Sequence, residues 1–280
     1  MREKKTFSSP FMRYAVIKYG GHAMVGGGAS FSKQIVSLYQ KNIAPIIVHG
    51  GGPEITQMLE RLDIQSTFIN GLRKTTSESL DVAQMVLCGL VNKRIAAEIT
   101  SEGVPTIGLS GTDASLIEAT AINQELGFVG HPLKINKDLL KTLLNAGIIP
   151  VIAPIGRDSA GQNYNINADT VAAIIAATLK TSLFILTDVA GVLDKNGIIQ
   201  HHLNEAEIVK LYEAKIIRHG MYPKVKACLD ALKAGAEEAI ILDGRSPENL
   251  RKILISKETN IGTSIQIDER PIILHEGMEK

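Results

Sequence analysis

Short apolar runs alternate with longer amphipathic ones from Tyr14 onward, and this alternation restricts the fold more than any other feature of the chain. The apolar runs are Tyr14–Lys18, Pro45–Val48, Pro105–Leu109, Ile148–Ile152, Leu183–Leu186 and Ala239–Leu242. They are continuous rather than alternating, as strands covered on both faces must be. The stretches between them carry apolar residues at helical spacing: Ile35, Leu38 and Tyr39; Leu139, Leu140, Leu143 and Leu144; Val171, Ile174, Ile175 and Leu179; Val225, Leu229 and Leu232. Strand and helix in regular succession predict an α/β fold with a mostly parallel sheet sandwiched by helices. A chain of 280 residues suits one large domain or two fused lobes, with a split near residue 180.

Composition excludes several functions. Thirty Lys and Arg against 29 Asp and Glu leave a net charge of +1, so no basic surplus points to nucleic acid or to an anionic membrane. Aromatics are 4% and Trp is absent, which removes the usual stacking platforms for bases. Cys88 and Cys228 are too few for a disulfide framework or a structural zinc site, and both read as small core hydrophobes. No apolar run reaches the ~18 residues of a membrane span, and the basic start lacks a signal-peptide core. The expectation is a cytoplasmic protein. A long helix is expected over Ser77–Ile99, with Leu80, Ala83, Leu87, Leu90 and Val91 along one stripe. That stripe packs on the sheet or, in part, on a second subunit.

Glycine placement carries most of the functional information. Strands end in K-Y-G-G at Lys18–Gly21, H-G-G-G-P at His49–Pro53, S-G-T-D at Ser110–Asp113 and T-D-V-A-G at Thr187–Gly191. Ligands of parallel sheets sit at the carboxyl ends of strands, and glycine lets backbone N–H groups approach an anion there. His49 fits a satisfied turn residue as well as a ligand contact, and His201-His202 reads as a solvated loop. Lys18 closes an apolar strand, and Lys224 opens a helix at the end where the dipole disfavours a cation, so a bound anion would explain both. Asn165-Ile-Asn-Ala-Asp169 opens an Ala-rich helix. Asn167 or Asp169 would cap it. Asn165 is left over as a ligand donor. There is no G-x-x-x-x-G-K-[ST], no G-x-G-x-x-G, no H-E-x-x-H and no G-x-S-x-G, which argues against Walker, dinucleotide, zincin and serine-hydrolase sites.

In combination these motifs resemble the amino acid kinase family. The likeness rests on K-Y-G-G-x-A-M at Lys18–Met24, V-H-G-G-G-P at Val48–Pro53, G-L-R at Gly71–Arg73 and N-x-N-A-D at Asn165–Asp169. It continues in L-T-D-V-x-G-V at Leu186–Val192 and G-M-x-P-K-V at Gly220–Val225, and it runs from about Arg13 to Gln266. Their order is similar to that of members acting on N-acetyl-L-glutamate. The resemblance implies a three-layer αβα sandwich, with residues 1–180 binding the acyl-amino acid and forming a homodimer, and residues 181–280 binding ATP. It implies Lys18 and Lys224 as transition-state stabilisers and Asp169 as their organiser. Gly51 and Gly52 would present N–H groups to the substrate, Arg73 would pair with its α-carboxylate and Asn165 would hydrogen-bond it. Asp188, Val189, Gly191, Val192, Leu193, Ile216, Gly220, Met221 and Lys224 would surround ATP, with Mg²⁺ on the phosphates and few direct protein ligands.

A carboxylate acceptor is ionised at neutral pH, so the implied reaction needs no general base. Two positions depart from the family pattern: His22, where Asn is common, and His219, where glycine is usual. Only 17 residues precede Lys18, and Ser8-Ser9-Pro10 breaks any helical run among them. The Gly244–Glu248 stretch lacks the histidine–serine pair of arginine-inhibited members. The expectation is therefore an arginine-insensitive dimer joined through the helix near 77–99.

Overall fold

The computed structural model describes residues 13–20, 28–69, 71–218 and 220–267. His22, His219 and the segment before Arg13 lie outside the described residues, as do Gly21 to Met24 of the first motif. In chain order the elements begin β1 (Arg13–Tyr19), α1 (Gly28–Gln40), β2 (Ile43–His49), α2 (Gly52–Arg61), β3 (Phe68–Ile69), β4 (Leu72–Arg73), α3 (Ser77–Gln84) and α4 (Asn92–Ser101). They continue with β5 (Thr106–Ser110), β6 (Ile117–Ala121), β7 (Val129–Ile135), α5 (Lys137–Asn145), β8 (Ile149–Ala153), β9 (Ile155–Arg157), β10 (Asn163–Ile166) and α6 (Ala168–Leu179). The last are β11 (Ser182–Thr187), β12 (His202–Leu203), α7 (Glu205–Glu213), α8 (Met221–Lys233), β13 (Ala239–Asp243), α9 (Glu248–Leu254) and β14 (Thr263–Ile265).

All six expected strands lie in one sheet of order β12-β14-β13-β11-β1-β2-β8-β5, parallel except where β14 runs against β13. Successive residues of β1 face opposite layers, as the two-residue period of a strand requires. Val16 joins the core under α5, α6 and α8, while Ala15 and Ile17 join the core under α1 and α4. Helices on both faces account for the unbroken apolar character of these strands.

The small closed barrel β10-β7-β6-β9 was not expected. Its strands carry mixed burial, as in β6 (Ile117 and Ala119 buried, Glu118 exposed), so no continuous apolar run marks them. The helix expected over 77–99 is interrupted as well. Met85–Val91 form a π-helical segment between α3 and α4. Each added residue turns the remainder of a helix by about 100°. Leu80, Ala83, Leu87 and Val91 are buried as the stripe requires, but Leu90 is 43% exposed and Met85 59%.

Candidate active site

Three glycine-bearing turns meet at the carboxyl edge of the neighbouring strands β11, β1 and β2. The first two approach so closely that a Cβ on Gly20 would lie 3.1 Å from Gly50 N and 3.2 Å from Lys18 Nζ. Only glycine tolerates that proximity without displacing a neighbour. Lys18, in register with Val48 of β2 and Ile185 of β11, therefore emerges into a floor made of backbone.

Across this floor stands the first turn of α6. Asn167 accepts from the N–H groups of Asp169 and Thr170 at 2.8 and 3.3 Å, so it supplies the cap. That leaves the Asp169 side chain free to point elsewhere. It meets Lys18 Nζ at 2.9 Å through Oδ1 and Lys224 Nζ at 3.4 Å through Oδ2. Lys224 arrives from the first turn of α8, which packs on α6. Lys18 and Asp169 are 7% and 4% exposed, so one buried carboxylate bridges two ammonium groups.

Burial by itself would raise the pKa of Asp169, but Lys18 and then Lys224 hold it below the usual carboxylate value. Burial lowers the pKa of Lys18 against the opposing pull of Asp169, and Lys224 lowers it further. Within this trio two cations face one anion. An uncompensated buried positive charge is costly, and an incoming anion removes that cost. Cys228 lies close by, with its thiol pushed well up by burial and by the Asp169 charge, so it is no nucleophile.

The turn after β2 opens helix α2 with no side-chain cap on Gly51, which leaves the N-terminal amides for a ligand. Arg73 lies against this turn. Its Nη2 donates to Gly52 O at 3.2 Å and to Thr56 Oγ1 at 2.8 Å, its Nη1 to Ser66 Oγ, and its guanidinium stacks 4.6 Å over the Phe68 ring. Asn165 reaches the same region from β10, 3.4 Å from the buried Thr75 Oγ1, which itself donates to Arg73 O at 3.0 Å. On the other side of β1 the Asp188–Leu193 turn leaves β11. Val192 N donates to Thr263 Oγ1 at 2.8 Å, and a Cβ on Gly191 would lie 2.5 Å from that oxygen. Asp188 is exposed and its charge reaches Lys18. Val192 is buried in the core, Ile216 and Met221 are half-buried, and Gly220 is exposed at the start of the helix that carries Lys224.

The fourth glycine turn does not join them. β5 is the sheet edge, three strand spacings or roughly 14 Å from β1. Its polar groups serve one another: Asp113 Oδ2 accepts from Ser110 N at 2.6 Å and from Ser110 Oγ at 3.0 Å. Nor do His201 and His202, which contact Gly262 O and Asn260 Oδ1 at 3.1 and 3.3 Å. Sequence reasoning passed over Thr56, Ser66 and Asn92. For Asn92 there was a signal, a polar residue next to the apolar stripe on its buried side.

His49 is fully buried, and burial lowers its pKa to about 4 from 6.5. The unfolded chain therefore takes up a proton that the native chain refuses between those values. The resulting stability is complete above pH 6.5 and falls as pH drops toward 4, by roughly 3 kcal/mol. Thermal melts across pH 4–7 should show a slope in the wild type that His49→Asn flattens.

A family model described as the amino acid kinase family matches residues 13–243. The chain belongs to the amino acid kinase family. Among its relatives is a protein of Dinoroseobacter shibae named acetylglutamate kinase, 48% identical over 246 residues and covering 85% of this chain and 86% of that protein. A Zymomonas mobilis protein of the same name is 43% identical over 276 residues, with 91% of each covered. Among solved structures, a Streptococcus mutans protein superposes with a TM-score of 0.80 at 27% identity, covering 91% of this chain and 99% of that one.

Proposed function

We propose that this amino acid kinase transfers the γ-phosphoryl group of ATP to the side-chain carboxylate of N-acetyl-L-glutamate, forming N-acetyl-L-glutamyl 5-phosphate in arginine biosynthesis. The observation that carries this reading is the Lys18–Asp169–Lys224 trio, set between an uncapped helix N-terminus and the turn after β11. The names of the two bacterial relatives point to the same acceptor.

One carboxylate oxygen attacks the γ-phosphorus, the bond to the β-bridging oxygen breaks, and ADP leaves with that electron pair. The obstacle is one anion approaching another, worth about 4 kcal/mol per unit-charge repulsion at 4 Å and an effective dielectric near 20. Lys18 offsets it from the acceptor side and Lys224 from the nucleotide side, while Asp169 keeps both aimed at the crevice. Gly51 and Gly52 offer N–H groups, and Asn165 and Arg73 hold the acceptor. The turn at Asp188–Leu193 and the loop at Ile216–Lys224 hold ATP. Residues 1–180 thus serve the acceptor and residues 181–280 the nucleotide. Mg²⁺ arriving with ATP would be held chiefly by phosphate oxygens and water, with few direct protein ligands.

No helix of the described residues is long and apolar enough to cross a membrane. Met85 and Leu90, exposed within the π-helical segment, support pairing with a second copy through that helix. Sedimentation should give a dimer whether or not arginine is present, and hexamers would refute it.

Arg73→Lys should raise KM for the acyl-amino acid about tenfold and change kcat little, because the planar fork that matches a carboxylate is lost. Steady-state kinetics with KM unchanged would remove Arg73 from that role. Trapping acyl phosphate with hydroxylamine tests the whole reading. N-acetylglutamate should outperform N-acetylaminoadipate, glutamate and aspartate, and no hydroxamate from any of the four would reject it.

A further inference from the structure

The turn after β2 is held from below by two side chains that the phosphoryl chemistry does not touch. His49 Nδ1 donates to Gly50 O at 2.7 Å, while Gly50 N donates to Tyr19 O at 2.8 Å. The other ring nitrogen, Nε2, lies 3.1 Å from Asn92 Nδ2. That same amide nitrogen donates to Val151 O of β8 at 2.9 Å and to Leu109 O of β5 at 3.2 Å. Carbonyls only accept, so this end of the amide is the NH₂ group. Nε2 must then accept, and the proton of the neutral ring belongs on Nδ1.

Asn92 occupies this position at a cost. Its two hydrogens are spread over three acceptors, and its Oδ1 is buried with no hydrogen-bond partner among the described residues. Space is cleared for it, since a Cβ on Gly108 would lie 1.9 Å from that oxygen. The π-helical segment ends immediately before Asn92, and without its added residue the side chain would be turned about 100° away. So much arrangement around a half-satisfied amide suggests that its amino end has a task.

Peptide planarity supplies the task. In a trans peptide the C=O of one residue and the N–H of the next point in opposite directions. No peptide bond among the described residues is cis. Holding Gly50 O against the His49 ring therefore directs the Gly51 N–H to the opposite side, at the N-terminus of α2. Gly51 has no side chain to hold it in place, and a Cβ would collide with Leu87 Cδ2 at 2.7 Å.

We infer that His49 and Asn92 are positioning residues for phosphoryl transfer: Asn92 selects the His49 tautomer, and His49 aims the Gly51 N–H at the transferring group. Burial keeps His49 uncharged near neutrality, consistent with a ring that orients without trading protons. The inference rests on the phosphotransfer reading above, and wild-type turnover with N-acetylglutamate tests that reading separately.

Two substitutions divide the possibilities. His49→Leu keeps bulk and removes both ring contacts, whereas His49→Asn retains a donor near the Nδ1 position. In His49→Leu, kcat should fall about tenfold to a hundredfold, with KM for both substrates changed less than about threefold, as expected for a misdirected transition-state donor. His49→Asn should recover most of that loss. Without turnover, ADP with aluminium fluoride and N-acetylglutamate should bind His49→Leu at least about tenfold more weakly, while ADP alone binds as in the wild type. If His49→Leu does not fold, Asn92→Ser carries the same two measurements. The inference is overturned by equal kcat in the Leu and Asn variants, or by a lowered melting temperature with kcat and the aluminium fluoride complex unchanged.

Discussion

Lys18→Ala should lower kcat by about a hundredfold or more, with folding intact. Its ammonium lies in a dry floor of glycine backbone, where a fixed charge needs no reorganisation as phosphorus changes hands. Loss of one such donor from a preorganised site costs a factor of about 10²–10³. The variant still folds because Asp169 retains Lys224 at 3.4 Å. Lys18→Arg should not restore the rate. The guanidinium is wider than an ammonium, and Lys18 is only 7% exposed with its Nζ already 2.9 Å from Asp169 Oδ1. Rapid-quench measurement of the chemical step would isolate the effect, and turnover within a few-fold of wild type would exclude Lys18 as a stabiliser of the transferring group.

Asp169→Asn should damage stability and rate together. The substitution leaves Lys18 and Lys224 in a buried site with no anion between them, and breaking a buried pair costs about 3–5 kcal/mol. For a chain of this size that is a fall in Tm of roughly ten degrees. The variant lowers its cost by releasing a proton from Lys18, whose pKa burial already depresses, and so loses charge at the site of reaction. Adding ATP should therefore raise the Tm of Asp169→Asn more than that of the wild type, because the phosphates replace the missing anion. An unchanged Tm, or equal shifts with ATP, would mean that Asp169 does not organise the lysines.

The central sheet was legible in the sequence because double-sided burial leaves a compositional trace. β1, β2, β8, β11 and β13 are largely buried apolar runs, β5 at the sheet edge is only partly buried, and each lies within a residue or two of its expected bounds. The barrel strands were not legible, because β6 and β7 alternate buried with exposed positions and β9 has only three residues. The π-helical segment at Met85–Val91 was hidden for a different reason. Helical periodicity shows a stripe but not a single added residue within it, so Leu90 was placed on the buried face and lies outside it.

At the site, strand ends and glycines located the turns, and the family resemblance named the residues within them. That Asn167 alone caps α6, leaving Asp169 for the lysines, could not be read from sequence, since either residue can cap. The turn at Ser110–Asp113 shows the opposite failure. Its composition matches a ligand turn, but its place in the sheet order, three strands from Lys18, is set by topology alone.

A crystal structure with MgADP, aluminium tetrafluoride and N-acetylglutamate would examine the two-lysine claim most directly. Lys18 Nζ and Lys224 Nζ should each lie about 3 Å from a fluorine on opposite flanks of the aluminium, with Asp169 behind both. Either ammonium group directed out of the crevice in that complex would contradict it.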